Sequence, residues 1–315
     1  MAPLSSLSVR ATDKGDPVLA NVTQSLPQPL IVTDPLTKAE QALKFLSPYT
    51  SHKTLGHYKE PAGNQLEQFR QLREKSDKIT KFMLQCYLTP VEAWTYYYAC
   101  YLPSIGYPLA CSSLTFTQLD RVQRTAMQII KARCGYNRNT KSEIIYGPMA
   151  YGGANFRHLY MHQGVGQLTQ FLRHWRKPDT MTGRLLKCAV AWTQMTAGTS
   201  YSIFQQVYED LPHLESKWLV AMRTFMAAIN ASLELDITGV PPLQRQRDSY
   251  IMDAILDSKQ FTKAQIRRLN YCRLFLQAVT ISDLTDATGQ HLDFEKLRGK
   301  PEAQSSTTTW IQVNQ

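Results

Sequence analysis

The 315-residue chain has no Asp-Asp pair and no CxxC spacing, and each absence narrows its chemistry. Nucleotidyl transfer needs two metal ions on the attacking and leaving oxygens, normally held by paired aspartates on a tight hairpin, so that reaction is not expected of this chain alone. The six cysteines, Cys86, Cys100, Cys111, Cys134, Cys188 and Cys272, are scattered singly, which argues against a disulfide framework or a zinc site and for reduced, mostly buried thiols. No run of ~18 apolar residues is present, and the opening MAPLSSLSVRATDKGDP lacks the apolar region of a secretory signal, so a soluble, intracellular protein without membrane partners is expected. Nucleophile elbows and Walker loops are missing too, and Gly164-Val165-Gly166 lacks the third glycine of a dinucleotide fingerprint. Charge is sparse at 19%, while 43% of residues are apolar and 10% aromatic, enough for the middle of the chain to bury a core.

What charge there is has a location. The net charge is +10, and between Arg121 and Lys187 twelve Lys or Arg stand against only Glu143 and Asp179. Basic and acidic residues balance elsewhere, so one segment carries the field that attracts a polyanion. Ordinary solvated helix faces are the bland alternative.

Along the chain, residues 1–50 form a Pro-rich, partly disordered lead-in (Pro3, Pro17, Pro27, Pro29, Pro35, Pro48) with an apolar run at Leu30–Val32 and a helix predicted over Lys38–Leu46. A small strand element follows near 52–58, punctuated by Pro61-Ala62-Gly63. From Gln65 a helical period places Leu66, Phe69, Leu72, Ile79 and Phe82/Met83 inward. Thr89-Pro90-Val91-Glu92 is a capping box with Pro at the first helical position, opening a helix that Pro103 is expected to stop. Another helix is predicted from Thr117 to Cys134, ended by Gly135, with Arg121, Arg124, Lys131 and Arg133 on its outer face. Phe156–Trp175 reads as a buried helix with a flexible middle at Gly164 and Gly166, closing on the cluster Arg173-His174-Trp175-Arg176-Lys177. Further helices are predicted at about 214–230, 247–256 and after Thr262, which pairs with Gln265 in a second capping box. In this last helix Ile266, Leu269, Leu274 and Leu276/Val279 are assigned to the core, with Arg267, Arg268 and Arg273 outward. The fold class is therefore mainly α: a multi-helix bundle with a small strand element and a helical C-terminal region. A polar tail with a short strand-like end spans 300–315.

Two pairs have a spacing that metal ligands on a helix can share. His158 and His162 are spaced i, i+4, but Leu159 stands where HExxH has its Glu, so no general base accompanies them. Asp253 and Asp257 share that spacing, which on a helix is ordinarily a solvated face. Aromatic residues meet charge at Tyr136-Asn137-Arg138-Asn139, where a ring can stack on a base beside a cation; the run Trp94, Tyr96, Tyr97, Tyr98, Tyr101 reads instead as helix core and edge.

The ordered series HKTLGHYKEPAGNQ (52–65), LTPVEAWTYYYACYLPSIGYPL (88–109), ARCGYNRNTKSEIIYGPMAYGGANFRHLYMHQGVGQL (132–168) and HLESKWL (213–219) resembles the C-terminal part of non-LTR, LINE-type retrotransposon reverse transcriptases. The likeness covers roughly 50–290 and rests on the order of individually weak motifs: Leu55-Gly56, Leu102-Pro103 with Tyr107, and Pro148 with Gly152-Gly153. It implies a thumb-like basic helical region over 51–187 and a further helical region over 188–299, lacking the catalytic palm, so no catalytic residue is carried over. No cofactor is expected in this fragment; Mg would accompany only the missing palm. The implied function is gripping the template and primer backbone of an RNA or RNA:DNA duplex through Arg121, Arg124, Lys131, Arg133, Tyr136, Arg138, Lys141, Arg173, Arg176 and Lys177. The alternative is a helical interaction module, or an inert relic, docking to a separate reverse transcriptase core.

Overall fold

The computed structural model describes residues 49–235 and 245–294, with 9–11, 17–19, 31–33, 40–42, 47, 240, 242 and 243; the predicted tail at 300–315 lies outside them. The protein is mainly α, 57% helical and 6% strand, as its periodicity requires. Three antiparallel hairpins come first: β1 (Val9–Ala11) with β2 (Pro17–Leu19), β3 (Ile31–Thr33) with β4 (Glu40–Ala42), and β5 (His52–Thr54) with β6 (His57–Lys59). The pairing of Glu40 with Thr33 and Ala42 with Ile31 replaces the helix expected there. In the third hairpin Thr54 pairs with His57 around a two-residue turn whose central residues, Leu55 and Gly56, have φ of 48° and 83°. Positive φ at both centres is the turn whose twist matches antiparallel strands, so the Leu-Gly pair of the sequence is a hairpin tip.

Contacts divide the chain into two units, Met1–Pro108 with Thr117–Thr140, and Leu109–Phe116 with Lys141–Gln315. In the first, α1 (Leu66–Gln85) buries Gln68, Leu72, Ser76, Thr80 and Met83, while Leu66 and Phe82 are exposed. The expected apolar stripe is thus turned, because small polar residues admit close neighbours. Ser76 Oγ donates to the Val122 carbonyl at 2.8 Å and lies 3.0 Å from Tyr101 Oη, and Gln68 Oε1 accepts from the Tyr58 N–H at 2.7 Å.

Thr89 caps α2 (Pro90–Tyr96) with both halves of the predicted box, its Oγ1 accepting from Glu92 N–H while the Glu92 carboxylate accepts from Thr89 N–H at 2.8 Å. Pro103 does not end the helix. A π-helical turn at Tyr97–Tyr101, with Leu102 N–H bonded to Tyr97 O, leads into α3 (Leu102–Gly106) and a 3-10 turn at Tyr107–Cys111. The widened turn ends just before the residue that has no N–H to give, so Pro103 takes the first positions of α3, where none is needed. Tyr97 and Tyr101 are fully buried and stacked at 5.5 Å, while Trp94, Tyr96 and Tyr98 are half-buried, so the run is helix core and edge, as expected.

Helix α4 (Phe116–Arg133) starts one residue ahead of the expected Thr117. It ends as predicted at Gly135, φ 80°, with Tyr136 N–H on Lys131 O at 2.9 Å and Gly135 N–H on Ala132 O at 3.2 Å, a Schellman closure.

In the second unit α5 (Ser142–Tyr146) precedes α6 (Leu159–Trp175), which is unbroken where flexibility was expected. Its glycines are packing positions: the Phe225 ring lies directly on Gly164, and a side chain at Gly166 would meet Ala110 Cβ at 3.2 Å. Buried amides of α6 hold the connection between the 3-10 turn and α4. Gln163 both accepts from Leu114 N–H (3.2 Å) and donates to Leu114 O (2.8 Å), and Gln167 donates to Ser112 O at 2.6 Å.

Next come α7 (Met181–Ala197), α8 (Lys217–Ala228), α9 (Ile251–Ser258) and α10 (Lys263–Leu276). The sequence reading missed α7, although Thr180 at its N-cap and Gly198 in the left-handed region at its end are regular signals. Lys187 and Cys188, on either side of the expected regional boundary, are consecutive residues within it. Helices α8 and α9 begin three and four residues later than predicted, and α10 opens on the predicted Thr262–Gln265 box.

Two assignments in α10 are corrected: Arg273, expected outward, is 1% exposed and in the core, while Leu274, expected inward, is exposed. The thiols are corrected as well, since Cys100, Cys111 and Cys188 are exposed and only Cys272 is buried.

Candidate nucleic-acid interface

On α4 the buried side chains are Leu119, Val122, Gln123, Ala126, Met127 and Ile130. At about 100° per residue, Arg121, Arg124 and Lys131 fall together on the opposite edge. Arg121 and Arg124 are exposed and Lys131 half-buried. This edge is continued by the turn after the helix, where Asn137 Oδ1 accepts from Asn139 N–H at 2.9 Å and its carbonyl from Thr140 N–H at 3.0 Å. Arg138 in that turn is exposed, and Tyr136 is half-buried at its base.

The set is not uniform. Arg124 Nη2 is 2.5 Å from Asp120 Oδ2, one turn back on the same helix, so part of its charge is answered. Arg133 falls on the other side of α4 and donates from Nη2 to the Leu84 carbonyl at 3.1 Å, closing the C-terminal end of α1. It is a structural bond within the first unit and does not join the cationic edge.

The remaining residues belong to the second unit. Lys141 stands exposed before α5, whose Tyr146 packs edge-on against His158 at 5.3 Å at the start of α6. Arg173, Arg176 and Lys177 lie exposed at the other end of that 17-residue helix, roughly 25 Å away by its rise. There they complement the helix dipole. Helix periodicity thus sets Arg121, Arg124 and Lys131 on one edge of α4, Tyr136 and Arg138 follow in the turn after it, Arg173, Arg176 and Lys177 cluster at the end of α6, and Lys141 stands before α5.

The two pairs spaced i, i+4 serve other contacts. His158 is the N-cap of α6, its Nδ1 accepting from Tyr160 N–H at 3.1 Å and its ring stacked on Phe116 at 4.8 Å, so it does not share a helix face with His162. Asp253 is not merely solvated: its carboxylate accepts from Tyr208 Oη and from Ser200 N–H, both at 3.0 Å. Among the described residues no group of three or more His, Cys, Asp or Glu is placed to hold a metal ion. Nor, among them, is any helix long and apolar enough to cross a membrane.

Sequence reasoning missed the buried guanidiniums, Arg273 and Arg223. Arg223 donates to the carbonyls of Ile203 (2.9 Å), Glu209 (3.2 Å) and Tyr208, pinning the 203–209 loop on α8. No periodicity separates such a residue from a surface arginine. Comparison with known proteins found no matching family model, curated protein or solved structure.

Proposed function

We propose that the chain is a non-catalytic, thumb-like part of a LINE-type reverse transcriptase that grips the phosphate backbone of an RNA or RNA:DNA duplex. The observation that carries the reading is the solvent-facing edge of α4, where Arg121, Arg124 and Lys131 line up opposite the buried face and lead into Arg138. Cations fixed along a rigid helix exchange the duplex's condensed counterions for protein charge, an interaction with phosphate that carries no base information. Binding without strong sequence preference follows. Tyr136, in the turn after α4, would supply a ring to stack on an unpaired base at a duplex end. In this reading chemistry belongs to a separate palm and its Mg ions, and the chain contributes grip alone.

The test is affinity for a short RNA:DNA duplex across a series of salt concentrations. Each phosphate neutralised contributes about 0.9 to the log-log slope. A slope of several units, reduced by replacing Arg121, Lys131 and Arg138 together with Ala, supports the grip; no binding at low salt sinks it.

A further inference from the structure

Helix α7 is apolar on two opposite sides. Gly183, Val190 and Ala197 of its inner side are buried, Val190 and Ala197 in a cluster with Phe171, Phe204 and Met222. On the outer side Met181, Leu185, Cys188, Trp192 and Met195 follow at intervals of four, three, four and three residues. That alternation presents a continuous seam to a single partner helix. At about 100° per residue it lies across the helix axis from the inner side. The seam is open: exposure is 76% at Met181, 59% at Leu185, 66% at Trp192 and 38% at Met195, and Cys188 is exposed as well. Single exposed apolar side chains are ordinary, but a row of five with an indole among them marks a surface that works by shedding water.

Width and charge select the occupant. A seam one residue wide takes one helix, whereas a lipid interface is served by a broader apolar face. The seventeen residues of α7 include Arg184 and Lys187 and no carboxylate. Arg184 is exposed and borders the seam, and Lys187, one turn on, stands 5.5 Å over the Trp175 ring. A second copy of α7 offers no carboxylate to this edge, while an acidic helix does. We propose that the Met181–Met195 seam docks an acidic amphipathic helix of another protein, with Leu185 and Trp192 as its largest anchors and Arg184 selecting carboxylates at the rim. None of these residues belongs to the proposed nucleic-acid set, so the two surfaces stand or fall separately.

The probe is a labelled synthetic three-heptad peptide with Leu at the seam positions and Glu at the flanking ones, titrated with the full chain and read by fluorescence anisotropy. A twin with Lys at the flanks is the comparison. Saturable binding of the Glu peptide is expected, with the Lys peptide at least about tenfold weaker. Leu185→Gln and Trp192→Gln each weaken the Glu peptide about tenfold with an unchanged thermal melt and unchanged duplex binding, and Arg184→Glu reverses the preference. The proposal is overturned if neither peptide binds or both bind equally. It is equally overturned by dimerisation that Leu185→Gln abolishes, which gives the seam to a second copy, or by adsorption to phosphatidylserine vesicles that this variant abolishes, which gives it to a membrane.

Discussion

The Arg273 guanidinium donates to the Thr196 carbonyl at 2.8 Å, joining the end of α10 to the end of α7 from inside the core. Its other partners are Asn270 Oδ1 at 2.9 Å and the Ala278 and Met195 carbonyls at 3.3 and 3.4 Å. All are neutral acceptors, and most are carbonyls left over at helix ends, where the dipole favours a cation. Burial pulls the guanidinium down to about 10, so it is charged at neutral pH.

Removing that donor strands several buried acceptors at once, each costing about 1–3 kcal/mol. Arg273→Met is expected to lower stability by about 3 kcal/mol or more, seen as a fall in urea midpoint at constant slope. Gly198→Ala is expected to be costly by a related route. Its φ is +66°, and an added Cβ would sit 2.5 Å from the Arg273 guanidinium carbon. A midpoint unchanged in both variants would remove this contact from the list of what holds α7 to α10.

A pH response follows from a neighbour of the same joint. His213 is buried, donates from Nε2 to the Ala197 carbonyl at 3.0 Å, and its Nδ1 has no hydrogen-bond partner among the described residues. Burial, more than the nearby Arg273 and Arg223 charges, lowers its pKa from 6.5 to about 4. The unfolded chain therefore takes up a proton before the folded one does. Stability is full above the unfolded value of 6.5 and is lost as pH falls toward about 4, below which the loss levels off. The contribution is on the order of 3 kcal/mol, and His213→Gln should flatten this part of the stability profile. A wild-type profile flat between those limits would sink the assignment.

The hairpin tip offers a gain. Leu55 is 85% exposed with φ 48°, a conformation that costs a branched side chain roughly 1–2 kcal/mol and that Asn tolerates. Leu55→Asn is expected to raise stability by about 0.5–1 kcal/mol without altering the fold, checked by denaturant midpoint. A loss would mean that Leu55 makes a contact its exposure conceals.

Legibility tracked the kind of signal. Caps were read correctly because they are local chemistry: Thr89 with Glu92, Thr262 with Gln265 and Gly135 each specify their neighbours' hydrogen bonds. The strand element at 52–58 and the mainly helical class came from periodicity in the same way. Failures came where tertiary structure overrides pattern. Ser76 and Thr80 face inward because another element approaches closely, and Arg273 does so because helix ends supply acceptors; neither cause is written near the residue. Pro103 misled because the π turn before it removes the conflict that ordinarily ends a helix. At the candidate interface the cations could be listed but not sorted. Only the fold separates Arg121, on the open edge, from Arg133, bonded to Leu84.

That sorting gives the last prediction. If the α4 edge grips phosphates, the cations must differ in effect according to what already holds them. Arg121 and Arg138 are exposed, so replacing either with Ala should weaken duplex binding and lower the log-log salt slope by about 1 each. Arg133→Ala should leave the slope unchanged and instead cost about 1 kcal/mol of stability, because its guanidinium serves the Leu84 carbonyl at 3.1 Å. Arg124 is intermediate, since Asp120 lies 2.5 Å from it and opposes any phosphate brought there. Asp120→Asn should therefore strengthen binding while barely affecting the melt, exposed pairs contributing about 0–1 kcal/mol. Duplex titrations of these four variants separate the possibilities. Equal losses for Arg121→Ala and Arg133→Ala, or no gain from Asp120→Asn, would mean that a diffuse positive field attracts the duplex and that the α4 edge is not the surface that holds it.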